Sequence, residues 1–200
     1  KSKAVDNRSG CALCAEAFLI AAPLAGRLGL SAAFCVQEEI GARGAGVLSV
    51  AETAGVGSPD AAIVLDNVPG EGPEGVADAR GARLGAGPVL RLYDHQPTSL
   101  YGHIAPPGLV AWVRDTAAGA GVPLQEDAFV GTFTDAATLS RSQPGGLPVV
   151  NLNLPRRYSH SPVELFKESD LEDMAALLGA LIRSAADGNL PAFGRDYKSP

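Results

Sequence analysis

Two hundred residues, 46% hydrophobic and 19% charged, fit one ordinary domain able to bury about 70% of the surface its unfolded chain exposes, and they exclude a disordered or fibrous chain. A net charge of −6, a pI near 5.0 and no Lys/Arg cluster beyond the Arg156-Arg157 pair exclude the electrostatic footprint of a nucleic-acid binder. No apolar run approaches the ~20 residues of a membrane span, and Lys1-Ser2-Lys3 does not open a signal peptide, so the chain reads as cytoplasmic.

In chain order, Asp6 sits just before an Ala-rich apolar helix that starts at Cys11 and ends near Gly26 to Gly29. At that position a carboxylate serves either as a cap or as a group aimed at a ligand. Cys11 and Cys14 have CxxC spacing inside the helical run, and with Cys35 they make an odd set of three, so they read as buried structural thiols in a reducing compartment. Ser31 to Val36 has the pattern of a buried strand, and it ends in two adjacent acids, Glu38 and Glu39, before a Gly-rich turn.

Gly44 to Thr53 suits a short helix, and Ala61–Leu65 reads as a second buried strand that again ends in an acid, Asp66. A Gly/Pro/Glu-rich loop, 69–87, leads to a strand over Pro88–Tyr93, with Asp94 and His95 beyond it; His95 and His103 read as surface residues. A helix follows over Pro106–Gly119, a short strand over Val122–Glu126, and a helix over Ala136–Ser142 capped by Thr134 or Asp135. The strand Pro148–Leu154 ends ahead of His160. The closing helix, Leu171–Ala186, carries Leu171, Met174, Leu177, Leu178, Leu181 and Ile182 at helical spacing, with Ser169 or Asp170 as its cap and Gly188 as its stop. Strands alternating with helices predict an α/β/α layered sandwich around a largely parallel sheet.

Ligands of such sheets bind at the carboxyl ends of the strands. This chain places Glu38/Glu39, Asp66 and His160 at three such ends and Asp6 at a helix start. Adjacent carboxylates repel one another and lose hydration, so a converging set of them needs compensation. Several carboxylates with one imidazole match the donor set of zinc, manganese or cobalt. A glycosidase reading of Glu38 and Glu39 is discounted, because neighbours in a strand point to opposite faces while an acid/base pair must face one substrate.

The same residues resemble the M42 metallo-aminopeptidases, which include glutamyl aminopeptidases and the tetrahedral TET aminopeptidases. Asp6-Asn7-Arg8-Ser9-Gly10-Cys11 is similar to that family's DDRxGC, and the block Val36 to Ala45 to its VQEEVGLRGA. Leu65-Asp66 matches its strand-end aspartate, Leu84 to Pro88 its LGKGP, Gly131 to Ala136 its GTGTDA, and Pro155 to Pro162 its PxRYxHSP. The resemblance runs from residue 4 to about residue 183.

What it implies is a zinc-peptidase-like (phosphorylase/hydrolase-like) catalytic domain acting on the N-terminal residue of a peptide substrate with two divalent metal ions, zinc or cobalt, with manganese also suitable. Asp6 would bridge the ions, Glu39 and His160 would complete one site, Asp66 would belong to the other, and Glu38 would be the general base. Phe133, Thr134, Asp135, Arg157 and Tyr158 would face the substrate.

Two departures stand out within the blocks: Asn7 replaces the second Asp of DDR, and Phe133 replaces a Gly. The resemblance also implies that an earlier metal-binding histidine, the first strands and an inserted β-barrel domain have no counterpart in residues 1–200. The expectation is therefore a partial catalytic domain that forms a homo-oligomer or is covered by a partner chain. The alternative is a non-catalytic metal-binding subunit, or half of a split peptidase.

Overall fold

Strand Val149–Arg157 is buried along its first eight residues, and the sheet is laid out around it. The computed structural model describes residues 1–50, 59–70, 81–99, 101–142 and 145–193. The elements are α1 (Val5–Ala21), α2 (Arg43–Val50), β1 (Ala62–Pro69), β2 (Val89–Gln96), β3 (Tyr101–Ile104), α3 (Pro107–Ala120), β4 (Gln125–Val130), α4 (Asp135–Leu139), β5 (Val149–Arg157), β6 (Leu165–Phe166) and α5 (Glu168–Ala186).

The sheet runs β1-β5-β2-β3, with β4 on β2 and β6 on β5. It is mixed rather than largely parallel: β1/β5 and β2/β4 are parallel, while β2/β5, β2/β3 and β5/β6 are antiparallel. Residues 89–91 of β2 pair with β5 and residues 93–96 with β3.

Side-chain alternation along the strands separates two apolar layers. Leu90, Val150 and Leu152 pack with Leu13, Leu109, Trp112, Val113, Met174, Leu177 and Leu181, which seats α1, α3 and α5 on one face. Val64 and Val149 pack with Ala136 and Leu147 on the other, the side of α4. The spacing of apolar residues in α3 and α5 is thus core, as the periodicity predicts.

The largest departure from the sequence reading is Ser31 to Val36. No described residue pairs with it as a strand; Phe34 and Val36 are 55% and 67% exposed, and Glu38–Ile40 form a single 3-10 turn. A strand requires a ladder partner for its backbone groups. Here the backbone turns back on itself instead, with Gly44 N–H donating to Val36 O at 2.9 Å and Ala42 N–H to Glu38 O at 2.9 Å. A Cβ at Gly44 would lie 2.5 Å from Val36 N, so this close approach requires glycine.

Other boundaries move. Asp66 is inside β1, which continues to Pro69 because residues 67–69 pair with 154–156 of a longer β5. Asp94 and His95 lie within β2, which is extended by pairing with the unforeseen strand β3. β4 begins at Gln125, three residues later than expected. His103 is buried, and its Nε2 hydrogen-bonds the Val149 carbonyl at 3.0 Å, so it is not a surface histidine. Asp170 does not cap α5; fully buried, it accepts the amides of Gly85 and Gly87 at 2.8 and 2.9 Å. Cys11 is exposed, while Cys14 and Cys35 are half-buried, and all three are free thiols. Thr53 and residues 71–80 lie outside the described residues.

Candidate metal centre

Regular helical geometry in α1 starts at Arg8, because Asp6 and Asn7 hold non-helical dihedrals across a cis peptide bond. The cap is Asn7, whose Oδ1 accepts the Gly10 amide at 2.9 Å. A Cβ at Gly10 would fall 2.3 Å from that oxygen, so the Gly of this block makes room for the cap. Asp6 is left free of capping, and its carboxylate turns toward the end of β5.

There it meets His160, whose Nε2 lies 3.3 Å from Asp6 Oδ2 and 3.2 Å from Glu39 Oε2. One ligand atom from each of Asp6, Glu39 and His160 falls within 4.8 Å of the others. Three segments far apart in sequence therefore deliver one imidazole and two carboxylates to a common point, a donor set that suits a divalent transition metal. The trio lines an open pocket together with Lys3, Ala4 and Ser161, and the His160 and Glu39 side chains face solvent.

Asp66 stands beside the trio rather than in it. Its Oδ1 accepts the Asn67 backbone amide at 2.7 Å, and Asn67 Nδ2 donates to Asp6 Oδ1 at 3.4 Å, so the two aspartates are linked through one residue, by its backbone and its side chain. Burial, then the Asp6 charge, raises the Asp66 carboxyl to about 7. Glu38 is raised to about 8 by burial first, then by Asp66, Asp135, Glu39 and Asp6. Burial and then Asp6 also raise Glu39, while His160 acts in the opposite direction. Crowded acids that hold protons this tightly mark a place where positive charge is wanted.

Some positive charge is already present. Arg156, 3% exposed, hydrogen-bonds Asp6 Oδ2 through Nη2 and faces Glu164 at 3.5 Å through Nη1. Arg156, Asn67 and Glu164 were not singled out from the sequence. An Arg in a strand, an Asn after an acid and an acid in a polar loop carry no periodic signal.

The expected substrate-facing residues are dispersed. The Phe133 ring packs on Tyr101 with centroids 5.2 Å apart. Thr134 is buried, capping α4 through its contact with the Ala136 amide at 3.3 Å and accepting from Asn151 Nδ2 at 2.8 Å. Asp135 hydrogen-bonds Cys35, and burial raises its carboxyl. Arg157 closes β5, and Tyr158, at φ 61°, is exposed beside His160.

The chain is similar in sequence and fold to known aminopeptidases. Against the glutamyl aminopeptidase of Lactococcus lactis subsp. cremoris (strain MG1363) the chain is 35% identical over 184 residues, 92% of this chain and 47% of that one. An aminopeptidase of the archaeon Desulfurococcus kamchatkensis superposes with a TM-score of 0.77 at 27% identity, over 97% of this chain and 52% of that one. A TET aminopeptidase of a marine sediment thaumarchaeon gives 0.76 at 28% identity, over 94% and 51%. The chain thus spans about half the length of the curated relatives it matches. Residues 1–177 match the family model described as M42 glutamyl aminopeptidase, and the chain belongs to that family.

Proposed function

We propose that the chain carries the metal-binding part of an aminopeptidase that hydrolyses the N-terminal bond of peptides. The observation that carries this reading is the convergence of Asp6, Glu39 and His160 from three separate segments, each inside a block that resembles the family's motifs. Asp6, Glu39 and His160 would hold one divalent ion, zinc or cobalt; Asp6 and Asp66 would contribute to a second. When bound, such ions activate water and polarise the scissile carbonyl.

The chain's own residues then divide the remaining work. Glu38 follows a residue with φ 59° and sits on the same 3-10 turn as Glu39. In this reading it takes the proton from the attacking water and returns it to the leaving amine. His160 and Glu39 leave an open side through which a peptide's free amine can approach. Of the residues expected to face substrate, Tyr158 is exposed two positions before His160, whereas Thr134 is buried at the start of α4, and Phe133, Asp135 and Arg157 do not line this pocket.

We read residues 1–200 as one partial catalytic domain. Among the described residues β1 pairs only with β5, and Phe34, Val36 and Ile40 are exposed nearby in sequence to Glu38 and Glu39. Such surface favours a homo-oligomer or a covering partner chain. No described helix is long and apolar enough to cross a membrane.

The test is elemental analysis after zinc or cobalt loading and exhaustive buffer exchange, beside assays on peptides with free and acetylated N-termini. Retained ions and cleavage of the free-amine peptide alone support the reading. Cleavage of both peptides removes the exopeptidase assignment, and a chain that retains no ion removes the metal reading.

A further inference from the structure

We propose that Glu164 is the positioning residue of the metal centre, holding the Asp6 and His160 segments in one register; this rests on the metal reading above. The Glu164 side chain is 2% exposed and lies beneath the pocket. One of its carboxylate oxygens, Oε2, accepts the backbone amide of Asp6 at 3.1 Å, and the other, Oε1, accepts the backbone amide of His160 at 3.2 Å. A single carboxylate thus clasps the main chain of two residues whose side chains would ligate the ion. They are 154 positions apart in the sequence (160 minus 6), and no ladder hydrogen bond joins them.

The clasp is itself anchored. Glu164 N–H donates to Ser2 O at 2.7 Å, and Ser2 N–H donates back to Glu164 O at 3.0 Å, so the segment leading to Asp6 is tied to the clasping residue by its backbone as well. Arg156 faces Glu164 Oε1 at 3.5 Å and balances its buried charge. The same guanidinium reaches Asp6 Oδ2 through its other terminal nitrogen, so Arg156 bridges the clasping acid and the carboxylate oxygen that faces His160 Nε2.

The local conformation explains why a clasp is needed. His160 is a non-glycine residue at φ 57°, in a loop where Tyr158 also has positive φ, a conformation that is strained unless its surroundings hold it. Tyr158 O accepts the Ser161 amide at 3.1 Å, and the next restraint on the His160 backbone is Glu164. Groups that orient metal ligands from behind are worth about 10 to 100-fold in metal affinity.

The experiment is a cobalt titration of the full chain, read by calorimetry and by the visible cobalt spectrum, for wild type, Glu164→Gln, Arg156→Met and the double variant. Glutamine supplies only one acceptor, so one of the two amides loses its partner. The expected result is cobalt binding weakened about tenfold or more in Glu164→Gln, with a changed spectrum at saturation because the two ligands no longer share one geometry. The double variant, which leaves no unpaired charge at position 164, is expected to bind correspondingly more weakly than Arg156→Met, and this pair decides the matter if Glu164→Gln does not fold. Equal affinity and identical spectra within either pair overturn the role of Glu164 alone. A wild type that takes up no cobalt overturns the metal reading and this inference with it.

Discussion

The Asn7 carboxamide oxygen accepts the Gly10 amide at 2.9 Å, and its Nδ2 donates to the Leu65 carbonyl at 2.7 Å, so one side chain caps α1 and ties it to β1 next to Asp66. Asn7→Ala removes both bonds and is expected to cost about 1 to 2 kcal/mol of stability, measured by urea unfolding. Asn7→Asp restores the family's second aspartate and keeps the cap, but it loses the donor to Leu65 and adds negative charge 3.5 Å from Asp66. It is expected to lower the melting temperature of the metal-free chain and to recover part of the loss when zinc is added.

The crowded acids make the metal-free chain sensitive to pH in a stated direction. Asp66 and Glu38 bind protons more tightly in the fold, at about 7 and about 8, than in the unfolded chain, at 3.8 and 4.5. Their contribution is therefore fully present below about pH 4 and declines as pH rises through 7 to 8. With chelator present, the melting temperature is expected to be higher at pH 5.5 than at pH 8, and a divalent ion is expected to narrow the gap. A flat profile between those values would show that the acids are not crowded in solution.

Arg91 and Asp127 form a buried two-bond pair across β2 and β4, Nε at 3.1 Å and Nη2 at 2.7 Å, beneath the Phe129 ring. Arg91→Met leaves an uncompensated buried carboxylate and is expected to cost about 3 to 5 kcal/mol in urea unfolding. Arg91→Met with Asp127→Leu is expected to recover most of that loss, because replacing both charges by apolar groups removes the desolvation penalty.

The cysteines are expected to differ in reactivity. Cys11 is exposed on α1. Burial first, then the Asp135 charge and hydrogen bond, pushes the Cys35 thiol up to about 12, so little thiolate exists at pH 8. Iodoacetamide at pH 8 followed by peptide mapping is expected to modify Cys11 well before Cys35, and Asp135→Asn is expected to speed modification of Cys35.

If Glu38 moves the proton, Glu38→Gln in a catalytically competent assembly is expected to lower kcat by about 10² to 10⁴-fold while leaving metal content unchanged. His160→Ala is expected to do the opposite first, lowering metal affinity before any effect on chemistry is resolved.

The acids and the histidine of the site were legible because chemistry that requires charge at the end of an apolar run leaves a mark in the sequence. Glu38, Glu39, Asp66 and His160 stood out for that reason, and the apolar spacing in α3 and α5 was legible as core. The backbone beneath Glu38 and Glu39 was not, since Phe34-Cys35-Val36 has the composition of a buried strand whether or not a neighbour pairs with it. Asp6 had the type and position of a cap, yet it is Asn7, one residue later, that holds the Gly10 amide.

The residue types and the order of the motif blocks, set by the sequence alone, were enough to identify the family and to single out Asp6, Glu39 and His160, which the fold brings together. Only the tertiary structure decided that Asp6 turns away from its helix, that β5 runs on to Arg157 and that Glu164 reaches two amides at once. The Asn7–Leu65 and Asp6–Glu164 bonds span 58 and 158 positions, and β5 beyond Leu154 pairs with Val68 and Pro69 of the distant β1. A one-dimensional pattern registers a residue's own preference for burial or charge, but not which distant backbone group will satisfy it.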